Sequence, residues 1–189
     1  MPITDMLSLN AHIYADEISL IERDPVAGIR REITWKEFNN NANRFANYLT
    51  SRGIKPGDMV GLLLMNCLEW LPIYFGILKS GAWAVPLNFR FTAEEISKCL
   101  EVAEAKILVY GPEFTERIGC IQGKNSYLKE FVFVGESSNN ENNDQLYSCI
   151  ISEYPANEPD IPISDENEAA LYFTSGTTGT PKPIVLTHG

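Results

Sequence analysis

The stretch Met59 to Met65, MVGLLLM, carries no polar side chain. A strand that is apolar on both faces must be covered on both. That is the condition of a central strand in a parallel sheet with helices above and below it. The neighbouring runs fit the same plan. In TWKEFNNNANRFANYLTSRG, residues Trp35, Phe38, Ala42, Phe45, Ala46 and Leu49 fall on one helical stripe at spacings of three and four. Thr34 with Glu37 forms a capping box, and Gly53 suits the helix exit. Asn66 with Glu69 can cap the next helix, which runs to about Ser80, and Pro72 within it implies a kink or a late start. WAVPLN reads as a short strand. Thr92 with Glu95 makes a second capping box ahead of a helix that buries Ile96, Cys99, Leu100 and Ala103. KILVYG and EFVFVG are strands, and Glu136 to Asp144 is a polar surface loop. QLYSCIISEY is a helix, and Pro155 to Pro162 is a linker. EAALYF and PIVLTH are apolar runs on either side of a Gly/Ser/Thr patch. Strands alternating with helices predict an α/β fold: a doubly wound, mostly parallel sheet with flanking helices.

Charge limits the partners. The chain has 189 residues, with 15 Lys and Arg against 25 Asp and Glu, for a net charge of −10. A broad nucleic-acid surface is not expected from that balance. A local anion site remains open, because a few backbone N–H groups and one Lys suffice for it. Cys67, Cys99, Cys120 and Cys149 have no CxxC spacing, and His12 and His188 stand far apart, so no zinc site is expected. Free thiols and the absence of a secretory signal in MPITDMLSLN point to the cytoplasm. Cys67 to Leu87 is long enough to span a bilayer. It contains Glu69, Lys79, Pro72, Gly76 and Gly81, however, and each charge at the centre of a span costs roughly 2.5–3.5 kcal/mol. It reads as a buried helix leading into a strand, with no transmembrane segment.

The patch between the last two apolar runs is TSGTTGTPK. Gly176 and Gly179 permit positive φ and close backbone approach. Successive N–H groups can then form an anion nest, with hydroxyls from Thr174, Ser175, Thr177 and Thr178 and the ammonium of Lys182 around it. Charge-assisted hydrogen bonds of about 1.5–3 kcal/mol each would hold a polyphosphate there. The Walker pattern fails, because Pro181 and Pro183 stand where it needs Gly and Ser or Thr. A flexible linker is the alternative reading of such a composition. In doubly wound sheets, ligands bind beyond the carboxyl ends of the strands, which is where this patch falls.

YFTSGTTGTPKPIVLTH closely resembles the signature of the adenylate-forming (AMP-binding) enzymes, namely acyl- and aryl-CoA synthetases, luciferases and peptide-synthetase adenylation domains. TWKEFNNNANRFANYL, GIKPGDMVGLLLMN, EWLPIYFGILKSGAWAVPLN and FRFTAEEI are similar to the N-terminal part of acyl-CoA synthetases. The likeness runs from Ile33 to Gly189. It implies a division into a 1–32 N-terminal extension and a 33–189 N-terminal portion of the AMP-binding domain, ending just after the phosphate loop. By that resemblance Thr174, Ser175, Gly176, Thr177, Thr178, Gly179 and Lys182 hold the β- and γ-phosphates of ATP, with Thr174 also near Mg²⁺. The implied reaction joins a small-molecule carboxylic acid to coenzyme A through an acyl-adenylate. AWAVPLNFRF resembles fatty and aryl acyl-CoA synthetases. The alternatives are an adenylating enzyme with another acceptor, such as a carrier protein, and a non-catalytic domain that binds nucleotide or a partner. Pro183 departs from the family pattern, which has Gly there. The family's acyl-pocket residues and catalytic Lys lie beyond residue 189, so the 189 residues alone are expected to be inactive. Oligomeric state is left open. Of the remaining residues, His188 reads as a polar strand-end residue, and Trp70, Tyr74, Phe75 and Trp83 as core. Glu94, Glu95, Glu101 and Glu104 read as a solvated helix face, and the cysteines as buried small apolar groups.

Overall fold

The computed structural model describes residues 1–26, 28–140, 142, 144–174 and 182–189. Ser175, Gly176, Thr177, Thr178 and Gly179, five of the residues expected to hold phosphate, lie outside the described residues, as do Thr180 and Pro181.

Helix α1 (Ile3–Ile13) and an antiparallel hairpin of β1 (Ile18–Asp24) and β2 (Ile29–Thr34) lead into α2 (Trp35–Ser51). The main sheet then begins with β3 (Met59–Leu63), followed by α3 (Trp70–Lys79), β4 (Trp83–Pro86), α4 (Ala93–Val102), β5 (Ile107–Tyr110), α5 (Thr115–Gly119) and β6 (Glu130–Phe133). It is completed by β7 (Gln145–Leu146), α6 (Tyr147–Glu153), β8 (Glu168–Thr174) and β9 (Lys182–Thr187). The strand order is β7-β6-β5-β3-β4-β8-β9; every pair is parallel except β8 with β9. The doubly wound, mostly parallel sheet expected from the alternation is therefore observed. No described helix is long and apolar enough to cross a membrane.

β3 lies in the middle of the order and is buried along nearly its whole length. Val60 and Leu62 join the core under α2, α3 and α6, and Leu63 joins the core under α4 and α5. The stripe read along α2 is the observed one: Phe38, Ala42, Phe45, Ala46 and Leu49 are buried. Both capping boxes form, at Thr34 with Glu37 and at Thr92 with Glu95. Gly53 adopts φ 80° at the exit of α2, a conformation that costs other residues strain. Trp70 stacks on Tyr74 with ring centroids 5.2 Å apart, and Phe75 meets Phe38 edge-on at 5.3 Å, so these rings pack against the core as expected. Glu94, Glu101 and Glu104 are exposed.

Four readings are corrected. The Asn66–Glu69 cap does not form; α3 starts late, at Trp70, with Pro72 in its first turn, where no N–H is needed. Glu69 instead accepts from Arg31 Nη1 at 2.7 Å. In QLYSCIISEY the first two residues form β7, because Val132 and Phe133 offer a free parallel edge. Cys120 is exposed, since it follows the short α5 whose apolar side is held by Ile118 and Ile121.

The fourth correction is the largest. Pro155 to Pro162 is docked rather than free. Asn47 Nδ2 donates to the carbonyls of Pro155 at 2.9 Å and Asn157 at 3.0 Å, and Asn43 Nδ2 donates to Ala156 at 3.0 Å. Buried Lys79 donates to Glu158 at 2.6 Å, Asn39 at 2.8 Å and Ser8 at 2.9 Å. Asn43 and Asn47 of α2 thus satisfy an extended segment that has no strand partner of its own.

Two predictions follow from this packing. A Cβ on Gly76 of α3 would sit 2.8 Å from both the Ala42 carbonyl and Phe45 Cβ of α2. Gly76→Ala should destabilise the chain by about 1–3 kcal/mol, against the sign of helix propensity, as read by urea unfolding. An unchanged midpoint would show that α2 and α3 separate freely.

The second concerns the clasp on Pro155 to Pro162. Partial burial works to raise the Glu158 carboxyl, but the hydrogen bonds from Asn39 and Lys79 outweigh it and hold it below the ordinary value. Burial pulls the Lys79 ammonium below its ordinary value, against the pull of Glu158. A depressed carboxylate contributes stability above its ordinary pKa and loses it as pH falls through the lowered one. A depressed Lys adds stability only as pH climbs through its own lowered value, so both groups make stability rise with pH. Thermal unfolding at pH 3 and pH 7 should therefore differ less in Glu158→Gln than in the parent chain, with the loss falling at pH 7.

Candidate functional site

Strands β3, β4, β5, β6 and β8 are parallel and end at one edge of the sheet, and the Lys182 end of antiparallel β9 joins them there. The hairpin of β8 and β9 pairs Thr174 with Lys182, and Thr174 Oγ1 donates to the Lys182 carbonyl at 3.4 Å. These two residues form the neck of the Gly/Ser/Thr loop. Both are exposed, and among the described residues no carboxylate pairs with Lys182. Pro183 lies inside β9 opposite Phe173, on an edge strand, the place where a ladder tolerates a residue without N–H.

His188 stands just past the other end of β9. Six residues of extended chain separate it from Lys182, roughly 20 Å, so the two do not converge. Its backbone N–H donates to the Asn167 carbonyl at 3.0 Å. Its ring is 7% exposed, with neither nitrogen bonded to a described residue. Burial holds it below the usual histidine value, opposed by Asp165 and Asp5.

The sheet also has a topological switch point. From β3 the chain leaves over one face through α3 toward β4; from β5 it leaves over the other face through α5 toward β6. The loops diverge, and a crevice opens between β3 and β5 at their carboxyl ends. It holds a cavity of about 420 Å³. Leu64 to Cys67 follow β3, Gly111 to Glu113 follow β5, and Val134 to Glu136 follow β6, with Tyr147 closing the back. The sequence reading passed over this place. The available signals were the two glycines that end KILVYG and EFVFVG, and the polar Asn66 that follows the apolar run.

The family model for the AMP-binding enzyme matches residues 8–189. The chain belongs to the AMP-binding enzyme family. Crotonobetaine/carnitine–CoA ligase of Salmonella paratyphi A is 34% identical over 180 residues, which are 94% of this chain and 35% of that ligase. The crystal structure of an anthranilate CoA ligase in complex with anthranoyl-AMP superposes with TM-score 0.90 at 30% identity, covering all of this chain and 35% of that one. The N-terminal domain of FACL13 from Mycobacterium tuberculosis, in an inhibitor-bound crystal structure, gives TM-score 0.85 at 29% identity over 99% of this chain and 44% of that one. The chain thus spans about a third of the length of the ligases it matches.

In this AMP-binding family member Cys67 borders the crevice and is half-buried. Burial pushes its thiol up to about 12, with Glu69 adding to the rise, and burial pushes Cys99 up to about 11. At pH 8 a thiol of pKa about 12 is about one part in ten thousand thiolate. A disulfide-exchange reagent at that pH should therefore label exposed Cys120 first. Cys67 and Cys99 should lag at least a hundredfold in the folded chain and catch up in urea. Equal rates in the folded chain would overturn the burial assigned to them.

Proposed function

We propose that this chain is the N-terminal portion of the AMP-binding domain of an ATP-dependent acid–thiol ligase, with the loop after β8 as its triphosphate grip. One observation supports this most: the Thr174–Lys182 neck stands at the carboxyl edge of a parallel sheet, inside the segment that matches the family model.

The roles follow from chemistry. Ser175, Thr177, Thr178 and Lys182, with the backbone N–H groups at Gly176 and Gly179, donate to the β- and γ-phosphates. A substrate carboxylate oxygen attacks the α-phosphorus, and the bond to the bridging oxygen breaks. The electron pair leaves on pyrophosphate, and an acyl-adenylate forms. Donors fixed on the leaving end stabilise the charge that develops there. A thiol, that of coenzyme A in this reading, then attacks the acyl carbon and expels AMP. Thr174 suits a neighbouring Mg²⁺, because its hydroxyl donates to the Lys182 carbonyl and keeps its lone pairs free for a cation. Bound there, Mg²⁺ would screen the triphosphate charge. Ligases named for crotonobetaine or carnitine and for anthranilate share this segment. In this reading the choice of carboxylic acid belongs to the acyl-pocket residues, which the family resemblance puts beyond residue 189. Four free cysteines suit a cytoplasmic protein.

The 189 residues alone do not turn over in this reading. Ile184, Val185 and Leu186 of β9 are 47%, 46% and 49% exposed on successive positions, so both faces of that edge strand are uncovered, an arrangement that suits packing against further chain.

The test uses a full-length ligase that contains this segment. Lys182→Ala should lower kcat/KM for ATP in pyrophosphate exchange by about ten- to a hundredfold, or 1.4–2.8 kcal/mol. An unchanged value would remove Lys182 from the grip. Adenylate formation without dependence on coenzyme A would move the acceptor to a carrier thiol. ATP binding without exchange would favour a non-catalytic binding domain.

A further inference from the structure

β9 is an edge strand whose own side chains do not hold it in place. It pairs with β8 alone, and all six of its residues, Lys182 to Thr187, are exposed. A strand's register is strongly specified where one of its faces is buried, because a slip then carries apolar side chains out of the core. β9 has no such face in this chain, so sliding it along β8 would move no buried side chain of its own. The ladder is already irregular at its foot, where Glu168 faces Thr187 and the next pair is Ala170 with Leu186.

Burial resumes one residue later. His188 is 7% exposed, while Thr187 before it and Gly189 after it are exposed. Its backbone N–H donates to the Asn167 carbonyl and that of Gly189 to the Asp165 carbonyl, both at 3.0 Å, so the segment ahead of β8 grips two successive positions. The ring lines a cavity of about 160 Å³ with Trp83, Pro162 and Glu168, at the amino ends of β4 and β8. That is the opposite edge of the sheet from the Thr174–Lys182 neck.

Neither ring nitrogen has a hydrogen-bond partner among the described residues. A neutral imidazole tolerates such a place far better than an imidazolium does, since a buried charge must be paired. The charged groups around it are few. Asp165 ahead of β8 and Asp5 of α1 favour the protonated ring, but the Met1 ammonium already takes the Asp165 carboxylate at 2.5 Å. Glu168 of β8 lines the same cavity, and Pro56, Gly57, Gly81 and Trp83 bring no charge to it. Burial outweighs the two aspartates and holds the ring below the usual histidine value. A base depressed in this way binds a proton more readily once released, so its hold weakens as pH falls from the ordinary value toward the lowered one.

We propose that His188 is the positioning residue of β9: its buried neutral ring pins the register of the strand on β8, and protonation of that ring frees the strand to shift. The register decides which residue stands opposite Thr174, so a pin at one end of β9 sets the neck of the loop at the other. The pin acts whether or not that loop holds a triphosphate.

The experiment is nuclear magnetic resonance on the 189-residue chain between pH 7.5 and pH 5. It reads amide protection along β9 and the cross-strand contact of Tyr172 with Ile184, against Val109 in central β5 as the reference for global folding. In the parent chain, β9 protection should fall by about tenfold per pH unit from the ordinary histidine value, roughly 6.5, down to the lowered one, and level off there. The Tyr172–Ile184 contact should weaken with it while Val109 stays protected. His188→Phe, which keeps a buried ring that cannot charge, should hold both signals across the range. His188→Ala should lose them at pH 7.5 already, and His12→Gln should respond as the parent does. An acid response that survives in His188→Phe would overturn the proposal. So would a contact that His188→Ala retains at pH 7.5, or loss of protection in β9 and Val109 together in the parent chain, which would reduce the ring to a contributor to global stability. Parent and His188→Phe decide the matter by themselves if the alanine chain does not fold.

Discussion

Burial of β3 on both faces is the constraint that everything else answers to. A strand paired on both edges and covered on both faces leaves its chain only one way out, along its own direction and over one face. β3 sends α3 over the face that already carries α2, so β4 lands beside it with Met59 opposite Trp83. The second face then falls to α4 and α5, and β5 and β6 are laid down on the opposite side. Gly61 sets how close that second layer comes. A Cβ there would meet Leu100 at 2.8 Å and Leu108 at 2.9 Å, so the missing side chain lets α4 rest against the strand. The divergence of the chain at β3 and β5 is thus a consequence of double burial, and the crevice is its by-product.

Much of this was legible because it is local. Apolar periodicity places α2 and α4, and their caps depend on residues three apart. Gly53 needs only its own φ. Where a side chain is claimed by something distant, the local reading fails. Glu69 has the spacing to cap α3, yet Arg31, 38 residues earlier, takes its carboxylate. The segment from Pro155 has the composition of a linker. Nothing within it shows that Asn43 and Asn47, more than a hundred residues earlier, supply its missing backbone partners. The crevice was invisible for the same reason, since Leu64, Gly111 and Val134 meet only once strand order is known. The Thr174–Lys182 neck was legible because both residues belong to one hairpin between runs adjacent in sequence.

Lys79 shows how a distant claim becomes structural. A buried ammonium in the last turn of α3 would be costly alone. It is tolerated because Ser8 of α1, Asn39 of α2 and Glu158 converge on it. One cation therefore ties the N-terminal helix, the helix pair and the chain leading to β8. The chain leading to β8 is held by that convergence, and β8 itself by its pairing with β4, where Ala84 and Ala170 are the registered partners.

A net charge of −10 says little about where anions bind, because the charge is not spread evenly along the sheet edge. Four carboxylates gather around the β3/β5 crevice with one guanidinium, and Lys182 stands without an acidic partner among the described residues at the β8/β9 end. Three spacings of sheet, roughly 14 Å, separate the middle of the crevice from the β8/β9 neck. At physiological salt that exceeds the screening length of about 8 Å, so an anion at the neck is largely shielded from those carboxylates.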